Sequence, residues 1–185
     1  IGMGADVTLI ARSAGTVQQL SQRFAGKARV LAAGIETIET LCTSADVVIG
    51  AALVPGSLAP KLISARTVAK MKAGAVIVDV SIDQGGCAET SRPATHAEPT
   101  YVVDGVIHYC VANMPGAVPR TSTFALNNAT RPYVLALADK GFPRALVEDA
   151  GFQNGLNIHA GKVICQAVAD ALGLPYTPAA GVLAG

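Results

Sequence analysis

The stretch IGMGADVTLIARS (residues 1–13) decides how the fold is read. Gly2 and Gly4 followed by a Val/Leu/Ile run look like a nucleotide-binding loop. In a dinucleotide-binding fingerprint, however, the strand comes first, then G-x-G-x-x-G, then a helix whose free N–H groups face the pyrophosphate. Here the glycines precede the strand, and Val7 stands where the third glycine belongs. Gly2 and Gly4 therefore read as a helix stop, where glycine tolerates the left-handed cap, and Asp6 to Ile10 as the strand leaving it. The stretch is the junction after a phosphate loop, not the loop. A first strand, its glycine loop and most of a helix are then expected upstream of Ile1.

Composition agrees with such a sheet. Of 185 residues, 51% are hydrophobic and only 4% aromatic. That mix suits a parallel α/β sheet covered on both faces, whose strands are continuous apolar runs. A formal charge of +1 with scattered Lys and Arg offers no basic stripe for nucleic acid. No run reaches bilayer-spanning length, and no secretory segment is visible, so neither a membrane nor a nucleic acid is expected as a partner. Cys42, Cys87, Cys110 and Cys165 form no C-x-x-C pair, which argues for free thiols in a reducing, cytoplasmic setting and against a metal site.

Outward from residue 13 the chain alternates. Ser13 to Phe24 reads as a helix capped by Ser13, KARVLAA as a strand, and IETIETLCTSA as a short helix. DVVIGAAL is a buried strand, SARTVAKMKAG a helix closed by Gly74, and AVIVDVSID the next strand. A long loop from Gln84 to Asp104 leads to VIHYCVAN, the last strand, so that strands cease at about Asn113. This succession predicts a doubly wound parallel α/β sheet lacking its first strand. After PGAVPR, apolar residues at helical spacing predict one long helix from Thr121 to Asp139, stopped by Gly141 and lying outside the sheet at a domain hinge. A second helix is expected from Lys162 to Leu172, before Gly173 and Pro175; the tail TPAAGVLAG receives no assignment. The domain organisation expected is residues 1–119 for the nucleotide-binding sheet and 120–185 for helices of a second, substrate domain.

Ligands of open parallel sheets bind outside the carboxyl ends of the strands. Three strands end there in unusual loops: GAALVPG, VSIDQGG and VANMPGAVP. Asp83 is the sharpest chemical candidate, because it ends an apolar strand just before Gln84-Gly85-Gly86, where backbone can approach a ligand closely. An Asp capping the turn is the commoner role for such a residue. Asp79, inside the strand, reads as a buried structural carboxylate. Asn113 either meets a nicotinamide or holds the turn before Pro115. Arg92 either meets a phosphate or ribose or is a solvated loop residue. His108 reads as a satisfied core residue, and His96 and His159 have no partner pattern.

The segments VIGAALVPGSLAPKL, VIVDVSIDQGGCAETSRPATHAEPTY and HYCVANMPGAVPRTSTFALNNATRPYVLALADKG resemble the C-terminal half of the L-alanine dehydrogenase family. The resemblance covers essentially the whole chain, weakens over the last ten residues, and implies a Rossmann-like fold. A related family, the NAD-binding first domain of proton-translocating transhydrogenase, typically lacks the Asp of the fifth-strand loop and the PGAVPRTST continuation. Asp83 and Thr121-Ser122-Thr123 therefore favour alanine dehydrogenase. That family converts L-alanine, water and NAD to pyruvate, ammonium and NADH, as a homohexamer. Asp83 matches its catalytic aspartate. Ala52, Leu53, Val80, Ser81, Ile82, Asp83, Arg92, Val111, Ala112, Asn113 and Met114 match its cofactor-contacting positions.

Two departures stand out. The residue ending the second strand is usually an Asp that holds the adenosine ribose; here it is Ala11, followed by Arg12 and Ser13. An Arg in that loop can accommodate a 2′-phosphate, so NAD is the expected cofactor with weakened discrimination against NADP. The family's substrate-binding Arg and Lys, its catalytic His and its glycine loop have no counterpart here, so residues 1–185 alone are not expected to turn over. Two other readings are a transhydrogenase-like NAD-binding subunit and a non-catalytic nucleotide-binding module. Upstream sequence carrying the Arg, Lys and His would separate the enzyme from the module.

Overall fold

A computed structural model describes residues 1–183; Ala184 and Gly185, the end of the unassigned tail, lie outside the described residues. The chain divides into two compact units. The first comprises residues 1–52 and 60–112, the second residues 53–59 and those from Asn113 onward.

In the first unit β1 (Thr8–Ala11) leads to α1 (Ala14–Phe24), β2 (Arg29–Ala32), α2 (Ile35–Ser44) and β3 (Val47–Gly50). Then come α3 (Ala65–Val68), β4 (Val76–Asp79), a 3-10 turn (Val80–Gln84), β5 (Thr100–Val103) and β6 (Val106–Tyr109). The helix starts are chemical. Ser13, in extended conformation, accepts from the Thr16 N–H to cap α1, and Ser64 does the same for Thr67 at α3. A left-handed Ala25 closes α1. The core joins Val68 and Met71 to Ile77 of β4 and Val106 of β6, with Cys42 of α2 and Ala88. Full burial of one such aliphatic side chain contributes roughly 1.5–3 kcal/mol.

The parallel strands form two sheets rather than one. β1 pairs with β2, and β3-β4-β6 are parallel neighbours with β5 antiparallel at the edge. Set on the doubly wound order 3-2-1-4-5-6, β2-β1 take places 3-2 and β3-β4-β6 take places 4-5-6. Place 1 is filled by no strand among the described residues, which is why no ladder joins β1 to β3.

Several expected elements change. The loop expected from Gln84 to Asp104 contains β5, which folds back on β6 through Asp104-Gly105, both with positive φ (49° and 78°). That is the two-residue hairpin turn whose twist matches the strands, and Asp-Gly is its ordinary sequence. The strand expected over AVIVDVSID ends at Asp79, because the Asp79 carboxylate accepts from Ser81 N–H at 3.1 Å and turns the chain into the 3-10 segment. The helix expected up to Gly74 is one turn, Ala65–Val68; Lys70 and Met71 then bond to carbonyls three residues back, and Gly74 donates to Gly105.

In the second unit a 3-10 turn (Met114–Ala117) precedes α4 (Pro119–Lys140). The expected long helix is present, stopped at Gly141, and no strand falls between Arg120 and Lys140. None of its residues is buried, and Phe124, Leu126 and Val134 are exposed. α5 (Arg144–Val147), α6 (Ala150–Gln153), β7 (Ile158–His159), β8 (Lys162–Val163), α7 (Gln166–Leu172) and α8 (Ala180–Leu183) follow. Strands therefore do not cease at Asn113. The helix expected from Lys162 begins at Gln166, because Ala160-Gly161, again both at positive φ, turn β7 back onto β8.

Candidate active site

The carboxyl ends of β3, β4 and β6 come together around one buried carboxylate. Gly50 ends β3 and stands in register with Asp79, which ends β4. Asp79 is fully buried and is satisfied without a cation. Its Oδ2 accepts from Cys87 N–H (2.7 Å), Ala88 N–H (3.2 Å) and Ser91 Oγ (2.6 Å), while Oδ1 takes Ser81 N–H. Four donors on one carboxylate offset the desolvation that would otherwise expel it. Ser91 in turn accepts from Cys110 Sγ at 3.8 Å, tying in the residue that follows β6.

Glycines make the convergence possible. A Cβ on Gly50 would sit 2.2 Å from Cys87 Sγ, and one on Gly86 would sit 2.8 Å from Asp79 Oδ2. Gly86 also has φ +75°. Ser81 Oγ donates to Ala52 O at 2.8 Å, so the loop after β3 is fastened to the turn after β4.

The sequence-chosen residues distribute over this frame. Ser81 and Ile82 are buried and hold the turn, while Val80 and Asp83 are exposed on it. Asp83 lies between the buried Ile82 and Gln84, so its carboxylate is presented by a turn that the core holds from beneath. Val111 is buried and bridges Ala94; Ala112 donates to Ala94 O and is exposed. Arg92 lies exposed with its guanidinium carbon 3.9 Å from the Tyr101 ring centroid, while its N–H donates to Tyr101 Oη at 2.7 Å. Burial and the Cys110 thiol push the Tyr101 phenol up to about 12, so it stays a neutral prop for Arg92. His108 is a core residue as expected, with Nε2 2.8 Å from Thr90 Oγ1 and Nδ1 3.0 Å from Val106 O.

At the end of β1, Ala11 is buried and Arg12 exposed. Arg12 has no hydrogen bond or ion pair among the described residues, whereas Ser13 is engaged, capping α1 and sharing a proton with Thr16 Oγ1 at 2.7 Å. Leu53, Asn113 and Met114 belong to the second unit. Leu53 is exposed; Asn113 adopts a left-handed conformation (φ 56°) and its carbonyl accepts from Gly116, holding the turn over Pro115.

These residues suit a dinucleotide. Exposed loops stand at the carboxyl ends of parallel strands, and the turn bearing Asp83 also carries Gln84 Oε1, a buried acceptor with no partner among the described residues. A donor on a ligand, such as a carboxamide, would satisfy it. No group of His, Cys, Asp and Glu among the described residues can hold a metal ion. No described helix is long and apolar enough to cross a membrane.

Sequence reasoning passed over Lys61, Gly50 and Ser91. Gly50 matters through Asp79 and Cys87, 29 and 37 positions away, and Ser91 through Asp79, 12 positions away; no local pattern marks either.

Comparison with known proteins agrees with the geometry. The chain is 54% identical over 183 residues to an alanine dehydrogenase of Halomonas elongata, covering 99% of the chain and 49% of the relative. Against the alanine dehydrogenase of Mycobacterium tuberculosis H37Rv identity is 49%, with the same coverage. The chain thus spans about half the length of the curated relatives it matches. A solved L-alanine dehydrogenase superposes with a TM-score of 0.80 at 45% identity, covering 93% of this chain and 47% of that one. A transhydrogenase from Sinorhizobium meliloti, at TM-score 0.60 and 21% identity over 90% of this chain and 44% of that one, shares the fold. The model of the family "Alanine dehydrogenase/PNT, C-terminal domain" matches residues 1–166, and the chain belongs to that family.

Proposed function

We propose that this chain is the nicotinamide-nucleotide-binding half of an L-alanine dehydrogenase, which deaminates L-alanine oxidatively to pyruvate and ammonium with NAD. The observation that carries the reading is Asp83, an exposed carboxylate on a turn anchored through the Ser81 and Cys87 N–H groups to the buried Asp79. The relatives' name, alanine dehydrogenase, supports this reading of the reaction.

Bound NAD would supply the acceptor for a hydride from the substrate's α-carbon. The chain's part is to orient and to stabilise charge. By the family resemblance, Val80 to Asp83, Ala52, Leu53, Arg92 and Val111 to Met114 are the residues that would hold the nucleotide. Asp83 would stand at the reacting carbon, where its carboxylate would stabilise the positive charge of the iminium and orient the water that attacks it. Because the chain's own bonds hold the turn, with Asp79 accepting from Ser81 N–H, little reorganisation would accompany the reaction.

The intact protein is read as a cytoplasmic homohexamer acting on small molecules, with residues 1–119 as the nucleotide domain and 120–185, helices and the β7–β8 hairpin, as part of the substrate domain. The test is NADH formation at 340 nm from L-alanine and NAD, with pyruvate and ammonium measured as products. Hydride exchange between nucleotides without deamination would favour the transhydrogenase reading, and nucleotide binding with neither reaction would favour a binding module.

A further inference from the structure

The loop that presents Asp83 is held from two sides by opposite charges. Asp79 collects its N–H groups, as described above. On the other side Lys61 Nζ donates to the carbonyls of Gly85 (2.5 Å), Gly86 (2.9 Å) and Ala88 (3.1 Å). An ammonium has three donors, and all three are spent on one loop. The carbonyls need such a partner: Gly85 and Gly86 are consecutive left-handed residues (φ 89° and 75°), and they do not continue the helical turn before them.

Lys61 arrives on a segment that is itself pinned. Leu62 N–H and Ile63 N–H both donate to Cys87 O, and Ile63 is buried in the core. The 3-10 turn is closed by Gly85 N–H to the Ile82 and Ser81 carbonyls and by Gly86 N–H to Ser81 O. Lys61 therefore fixes the exit of the turn that carries Asp83, where Asp79 fixes its entrance.

We propose that Lys61 is a positioning residue: its ammonium sets the Gly85-Gly86 turn and thereby the placement of the Asp83 carboxylate, while touching neither substrate nor nucleotide. The link to turnover rests on the reading of Asp83 as the catalytic carboxylate. Displacement of a reacting group by about 1 Å costs on the order of 100-fold in rate, so loosening the turn acts on kcat more than on nucleotide affinity.

The test compares Lys61→Met, Lys61→Cys and aminoethylated Lys61→Cys, which restores an ammonium at nearly the same reach, with the parent treated identically as control. In the intact protein Lys61→Met is expected to fold and to bind NADH with a Kd within about threefold of the parent. Its kcat is expected to fall roughly 10- to 100-fold, and aminoethylation of Lys61→Cys to recover most of that loss. Amide hydrogen exchange over residues 81–88 is expected to quicken at least ~10-fold in Lys61→Met, against unchanged exchange in β1 and α1. Parent-like kcat and exchange in Lys61→Met would overturn the proposal. A variant that fails to fold, or one in which kcat and NADH affinity fall in step without rescue, makes Lys61 structural only and also overturns it. A parent with no dehydrogenase activity would instead defeat the reading of Asp83, and hydrogen exchange would still decide whether Lys61 sets the turn.

Discussion

Two strand ends of the same unit are built in opposite ways. After β4, the residues from Asp79 to Ser91 are wired by a buried carboxylate and an ammonium, with Gly86 packed tightly among them and Gly50 of β3 packed against them. After β1, Ala11 offers no side-chain hydrogen bond, Arg12 reaches into solvent, and only the Ser13 cap is fixed. Under the proposed function, the difference shows where rigidity is needed. A group that acts on a transition state must be placed to a fraction of an ångström, whereas a group that selects between nucleotides needs charge and reach.

The largest effect should come from the wired side. Asp83→Asn in the intact protein is expected to leave NADH binding nearly intact and to lower kcat ~10²-fold or more, the scale of losing one preorganised electrostatic group. Near-normal kcat with a raised cofactor Kd would move Asp83 from chemistry to binding and remove the contrast. Next, Gly50→Ala forces a methyl into Cys87 Sγ at 2.2 Å. Overpacking of that kind costs about 1–3 kcal/mol, read as a lowered denaturation midpoint; an unchanged midpoint would mean that the β3 and β4 ends are looser than their packing.

On the open side the expected effect is smaller. Ala11→Asp restores a carboxylate that holds the ribose diol and repels a 2′-phosphate. The ratio of kcat/KM for NAD over NADP is expected to rise roughly tenfold, about 1.4 kcal/mol. A parent that already rejects NADP by several orders of magnitude, or a ratio left unchanged, would show that Arg12 and Ser13 form no phosphate site.

The smallest effect concerns Cys87. Its burial, and then the Asp79 carboxylate beside it, push the thiol up to about 12. The folded state therefore keeps this proton after the unfolded chain has lost it near pH 9. The contribution is whole below about pH 9 and is lost as pH rises toward 12, because the unfolded state then binds fewer protons. At pH 8, iodoacetamide is expected to label the partly exposed Cys165 first and to spare Cys87 until unfolding. Fast native labelling of Cys87 would mean that the wired loop opens.

Local chemistry determined much of this protein from sequence. Ser13 caps, Gly141 stops, apolar runs make the parallel strands, and an Asp inside such a run must be buried and satisfied, as Asp79 is. The Asp104-Gly105 hairpin is legible too, as a Gly-containing two-residue turn between TYVV and VIHY, although the length of the stretch from Gln84 to Asp104 reads more readily as a loop. What only the tertiary structure decided is which distant groups meet. Lys61 bonds to carbonyls 24 to 27 residues ahead, and Gly50 needs its missing side chain because of Cys87. Periodicity and capping are set by neighbours within a few residues, so they are written in the chain. The partners of a main-chain carbonyl or an absent Cβ are set by the packing of separate strands, and exist only once the chain has folded.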